Sequence, residues 1–262
     1  MFLRVISLFI ATSCFGALGI PDGTTSFTEG LRFYYRLNAN AVYVDCWGTN
    51  NLTNVGTTTG TNNALMYGAP YFNGSSKCLT APINFNDNIS NKSYTVAFWM
   101  KTAVSNQAFA GTVGKNATSS PYTGDEWRFD YRNGADVYQT GKGASDVQYI
   151  VGTNLHLANE WTLVIGWNVY VAGVSTNIYL QVNTSRAKMT ETGLYQTTTA
   201  GKVSGTASGF EIARQRGSSY LNGWVDCVAL WHRELSAHER SMLWDAGYGG
   251  LERLLAGKEN QL

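Results

Sequence analysis

The stretch Gly223–Gly249, GWVDCVALWHRELSAHERSMLWDAGYG, changes character along its length. From Trp224 to Trp231 both alternating sets are apolar, with Trp224, Val228 and Leu230 on one side and Val225, Cys227, Ala229 and Trp231 on the other. A strand apolar on both faces is expected inside a layered sheet protein, covered above and below, with Asp226 as the exception. After Glu234 the pattern becomes helical. Ser236-Ala237-His238-Glu239 is a capping box: Ser236 accepts from the Glu239 amide, and the Glu239 carboxylate accepts from the Ser236 amide. Leu235, Met242 and Leu243 are expected to hold this helix against the sheet, and Gly247 offers the left-handed residue that ends it.

Upstream, alternation recurs at strand length. In LRFYYRL, Leu31, Phe33, Tyr35 and Leu37 share a face; in YTVAFWM, Tyr94, Val96, Phe98 and Met100 oppose Ala97 and Trp99. EWRFDYR, DVQYIVG, EWTLVIGW, TNIYLQVN and GFEIAR follow, each bounded by Gly, Asn, Asp or Ser. Leu163 and Ile165 share a face with Trp161 and Trp167, which assigns both indoles to packing. Many short strands between turn residues predict an all-β, antiparallel two-sheet sandwich with one short C-terminal helix.

The chain has 262 residues, 44% of them hydrophobic and only 14% charged, so a large core is enclosed by a neutral-polar surface. A net charge of +1 with no Lys/Arg cluster gives nucleic acid no electrostatic footprint. The opening MFLRVISLFIATSCFGALGIPDG has one positive residue, an apolar run and small residues before a turn. That is the layout of a secretory signal peptide over 1–19, with an uncleaved N-terminal anchor, a buried strand or a lipidated Cys14 as alternatives. Contact with a membrane is expected only through that segment. Cleavage leaves Cys46, Cys78 and Cys227, which permit one disulfide among three possible pairs. No CxxC accompanies His156, His232 or His238, which disfavours zinc.

At these residues the chain resembles the laminin-G-like, concanavalin A-like lectin-glucanase jelly-roll superfamily, particularly its bacterial and phage domains. GLRFYYRLN looks like the family's opening strand and VDCWGTNNLTN like its polar turn. APYFNGSSKCL and YTVAFWMKT resemble the next strands, and Phe210–Gly247 the closing strands and helix. The resemblance implies one domain over 27–249, followed by a tail at 250–262. It also implies a structural Ca2+ held by Asp226, with Asp45 and carbonyls near Gly48 or Asn50 contributing. The alternative is that Asp226 accepts backbone or arginine hydrogen bonds at a sheet edge and Asp45 forms a turn.

EWRFDYR places Glu126, Arg128, Asp130 and Arg132 on one face and Trp127, Phe129 and Tyr131 on the other. The polar set reads either as a concave surface for sugar hydroxyls, with Tyr122 or Tyr138 as a stacking face, or as a solvated strand face. Arg214, Arg216 and Tyr220, before the last strand, are also placed for recognition. Catalysis has little support: the glucanases' ExDxxE pattern is missing, and four strand residues hold the Glu126 and Asp130 backbones about 13 Å apart. The expected function is a non-catalytic, secreted or cell-surface glycan-binding or adhesion domain. The alternatives are a self-associating virion or surface subunit, and a glycan-active enzyme that uses Glu126.

Overall fold

The computed structural model describes residues 27–38, 43–60, 68–81, 92–116, 127–140, 148–152, 158–171, 175–183 and 209–245. Its strands are β1 (Leu31–Tyr35), β2 (Thr53–Val55), β3 (Tyr71–Asn73), β4 (Cys78–Thr80) and β5 (Tyr94–Thr102). Then come β6 (Ala110–Asn116), β7 (Trp127–Arg132), β8 (Ala135–Thr140), β9 (Gln148–Val151) and β10 (Thr162–Val171). The chain continues through β11 (Ser175–Asn183), β12 (Gly209–Ile212), β13 (Arg214–Gln215), β14 (Ser219–Tyr220), β15 (Asn222–Trp231) and α1 (Ala237–Asp245).

One sheet runs β1-β15-β5-β10-β11, with β3 also on β15; the other runs β2-β4-β12-β6-β7-β8-β9, and β13 with β14 makes a small hairpin. Every pairing between these strands is antiparallel. The fold is the expected jelly-roll sandwich. The signal-like segment, Gly247 and the tail lie outside the described residues.

Between the sheets lies the main core. Tyr94, Val96, Phe98 and Met100 of β5 meet Trp127, Phe129 and Tyr131 of β7, as the alternation predicts. Gly166 of β10 makes this contact possible: a Cβ there would run into the Phe129 ring and come within 3.0 Å of Tyr138. Phe129 and Tyr138 stack with centroids 4.6 Å apart. A hydrogen bond of 2.8 Å from the Tyr138 hydroxyl to that of Tyr94 ties the two sheets together through the core.

A second apolar cluster lies on the other side of the β15-β5-β10 sheet, where Ala97, Trp99, Leu163, Ile165, Trp167, Ala229 and Trp231 pack with Leu235 and Leu243. Hence β15 is apolar on both faces. Trp244 stacks on Trp99 at 5.5 Å, and the Arg240 guanidinium lies 3.9 Å from the Trp167 ring. Two register shifts change the expected phases. Between Leu31 and Phe33 the β1 register slips, so Leu31 joins Tyr34 in the second cluster instead of facing inward with Phe33. In β15 the shift falls between Asp226 and Ala229, with Cys227 at φ 52, and it puts Val225 inward beside Val228 and Leu230. Trp224 therefore faces outward, contrary to strict alternation. Cys46, Cys78 and Cys227 are free thiols.

The capping box forms as read: the Ser236 amide donates to Glu239 Oε2 at 2.8 Å, and the Glu239 amide donates to Ser236 Oγ at 3.2 Å. Arg233 adds two hydrogen bonds to the same carboxylate, at 2.8 and 2.5 Å. Burial pushes the Glu239 carboxyl up, but the Arg233 and Ser236 bonds outweigh it and hold it below the usual range. A depressed carboxyl contributes stability that is complete above its unfolded value, about 4.3, and is lost as pH falls through the folded value. Thermal melts from pH 7 down to pH 2 should show this loss in the native protein, with a shallower acid slope in Glu239→Gln.

Candidate functional site

The structure brings the predicted polar face of β7 together but covers it. Arg128 and Asp130 are buried, and Arg132 is only partly exposed. Asp130 Oδ2 lies 2.7 Å from Arg132 Nη2 and 3.3 Å from Arg128 Nε. The Gln215 amide of the β13–β14 hairpin, oriented to satisfy its neighbours, donates to Asp130 at 2.9 Å and accepts from Arg128 at 2.8 and 2.6 Å. Burial pushes the Asp130 carboxyl up, against the pull of Arg128, Arg132 and Arg216.

The hairpin sits this low because β6 carries Gly111 beneath it: a Cβ there would come within 2.5 Å of the Gln215 amide nitrogen. The face expected to meet sugar hydroxyls is therefore largely an internal network that fastens the hairpin. Arg214 pairs with buried Glu211 at 2.5 Å and lies 5.9 Å from the Tyr220 ring, while Arg216 and Tyr220 are half-buried at the hairpin rim. Tyr138 is a correction: it lies wholly in the core and presents no ring to a ligand, because its β8 position points inward opposite Phe129. Tyr122 and Glu126 lie outside the described residues.

Asp45 is engaged by the backbone of its own turn. Its Oδ1 accepts the amides of Tyr34, Trp47 and Gly48 at 3.1, 3.1 and 2.9 Å, and its Oδ2 accepts that of Asn50 at 3.2 Å. Three of these donors crowd Oδ1, and one reaches Oδ2. Gly48 is required by this close approach, since a Cβ would stand 2.6 Å from Oδ2. Asp45 is thus the turn-forming residue of the alternative reading. Asp226 is buried and accepts the Cys227 amide at 2.9 Å, in an interior strand rather than at a sheet edge. Among the described residues, no three His, Cys, Asp or Glu side chains gather as metal ligands.

A different surface stands out on the helix-bearing side of the β15-β5-β10 sheet. Tyr71 of β3 is paired with Trp224 of β15, and Trp224 with Lys101 of β5. Trp161 precedes Thr162, the partner of Met100, and so falls beside Lys101. The four make one row, each half-buried. Tyr71 and Trp224 lie 4.9 Å apart, and the Lys101 ammonium is 4.6 Å from the Trp224 ring and 5.8 Å from that of Trp161. The Tyr71 hydroxyl is fixed by a 2.8 Å bond to Asn222 Oδ1. At three inter-strand spacings of about 4.8 Å, the row is about 14 Å long.

Sequence reading assigned Trp161 to packing, and it does pack, partly buried, against the second cluster; the row itself was missed because its members come from three separated strands and the residue before a fourth. The available signal was phase: Lys101 alternates with outward Trp99, and Trp161 with outward Leu163. Trp224 was hidden by the register shift after Asp226.

Two antiparallel sheets, a capped helix over one and a hairpin clamped to the other define a lectin-like jelly-roll class. The chain belongs to the concanavalin A-like lectin/glucanases superfamily, whose laminin-G-type model matches residues 72–239. No curated protein matches the chain. Among solved structures it is similar to botulinum neurotoxin type C, described as dependent on interaction with two ganglioside molecules to get into cells. That likeness has a TM-score of 0.59 and 13% identity over 83% of this chain and 51% of the other. The serotype D ligand-binding domain in complex with N-acetylneuraminic acid gives 0.56 and 14% over 83% and 51%. The receptor-binding domain of the C/D mosaic serotype gives 0.53 and 12% over 88% and 52%. These likenesses show the fold, and the chain spans about half the length of those structures.

Proposed function

We propose that this protein is a non-catalytic glycan-binding domain of an exported or surface-displayed chain. The row of Tyr71, Trp224, Lys101 and Trp161 carries the reading. The faces of aromatic rings are electron-rich and accept the weakly positive C–H face of a pyranose, while neighbouring polar groups take its hydroxyls. A sheet holds such rings in register without the ordering cost that flexible loops would incur. The ganglioside and N-acetylneuraminic acid recorded for similar structures lend general support to a sugar ligand. The non-catalytic part of the proposal is supported by Asp130 and Glu211, buried carboxylates each ion-paired to arginine rather than open to a glycosidic oxygen.

Screening on a broad glycan array, followed by titration of tryptophan fluorescence, tests the reading. Trp224→Ala should weaken binding of the captured glycan at least about tenfold, a loss of about 1.4 kcal/mol, with the fold intact by circular dichroism. Failure to bind any glycan, or undiminished binding by Trp224→Ala, would overturn it.

A further inference from the structure

Lys101 occupies the middle of the row, where a third ring would have made a plain stacking surface. Its ammonium sits between two indoles. Ring faces attract the positive charge but leave the three N–H donors of an ammonium without strong acceptors. Among the described residues no carboxylate forms an ion pair with it. Asp226, on the same face of β15 two residues beyond Trp224, instead accepts the neighbouring Cys227 amide. Burial alone pulls the Lys101 ammonium below the ordinary lysine range. The free protein therefore holds a partly desolvated cation on a half-exposed aromatic surface, and an arriving anion would find a donor there.

Resting on the reading of the row as a sugar platform, we infer that its ligand is an acidic saccharide, with an anionic substituent meeting the Lys101 ammonium while the rings of Trp224 and Trp161 flank the sugar. The row's length suits a short oligosaccharide rather than a single residue. Tyr71, fixed by Asn222, closes one end and sets which neighbouring unit can lie flat. Carboxylated and sulfated sugars share this chemistry, and a compact ammonium with three donors accepts either.

The test compares matched probes by fluorescence titration at low and moderate salt: sialyllactose against lactose, oligogalacturonate against neutral galacto-oligosaccharide, and a sulfated against an unsulfated oligosaccharide. At least one acidic probe should bind about tenfold more tightly than its neutral partner, and the preference should shrink with salt. Lys101→Met should abolish the preference, read as the ratio of acidic to neutral affinity, with the melting temperature in place. Lys101→Gln serves if the methionine variant misfolds. The preference should also fade as pH rises toward the depressed lysine value.

Equal binding of acidic and neutral probes would sink this inference and leave the glycan-binding function standing. An acidic preference that survives Lys101→Met would also sink it, by assigning the charge to another group. Binding of no probe would refute the inference; binding of nothing on the array as well would remove the proposed function.

Discussion

Asp45→Ala should lower the unfolding free energy by about 3 kcal/mol or more. The carboxylate is 6% exposed and gathers amides from both sides of a chain reversal: Tyr34 on β1, and Trp47, Gly48 and Asn50 in the turn. Removing a charged acceptor strands donors, each costing about 1–3 kcal/mol where water cannot replace it. The Tyr34 amide is the buried one, and part-buried amides in the turn recover some of the loss from solvent. Asp45→Asn keeps one strong acceptor and should lose about half as much. Urea titration measures both. If Asp45 serves the turn alone, the loss should be the same in calcium and in chelator. A destabilisation seen only with calcium present would return Asp45 to a metal shell.

Gly166→Ala should cost about 2–3 kcal/mol, toward the upper range for overpacking. The added methyl group would point at the stacked Phe129 and Tyr138 rings of the facing sheet, and neither ring is free to move away. Phe129 also meets Phe98 edge-on at 5.0 Å, while Tyr138 is anchored through its hydroxyl to Tyr94. Combining Gly166→Ala with Phe129→Leu should recover at least about 1 kcal/mol relative to the sum of the single changes, a coupling expected of residues in contact. Additive losses in chemical denaturation would show that the backbone, not the rings, resists the methyl group.

The sequence was most informative where one local rule suffices. The β5 alternation, the inward set Trp127, Phe129 and Tyr131, and the Ser236–Glu239 capping box all form as read. Each depends on residues close along the chain. Alternation failed where one extra residue enters a strand, as at Cys227, because side-chain facing has a period of two and a single insertion inverts it. Trp224 changed sides for that reason.

The polar face of β7 was read correctly as a face but not as a covered one. Its cover, Gln215, lies far along the chain and reaches it only through the glycine gap at Gly111. Asp45 illustrates a different limit. An aspartate in a polar turn suits a cation and a set of amides equally well, and only the placement of Tyr34, Trp47, Gly48 and Asn50 distinguishes them.

Strand β15, the last of the described strands, is inserted between β1 and β5, so one sheet has an open slot until β15 has been synthesised. A nascent polypeptide halted before Asn222 cannot join its first strand to the rest of that sheet. Acquisition of protease resistance should therefore be abrupt, appearing once β15 is available rather than growing steadily during translation.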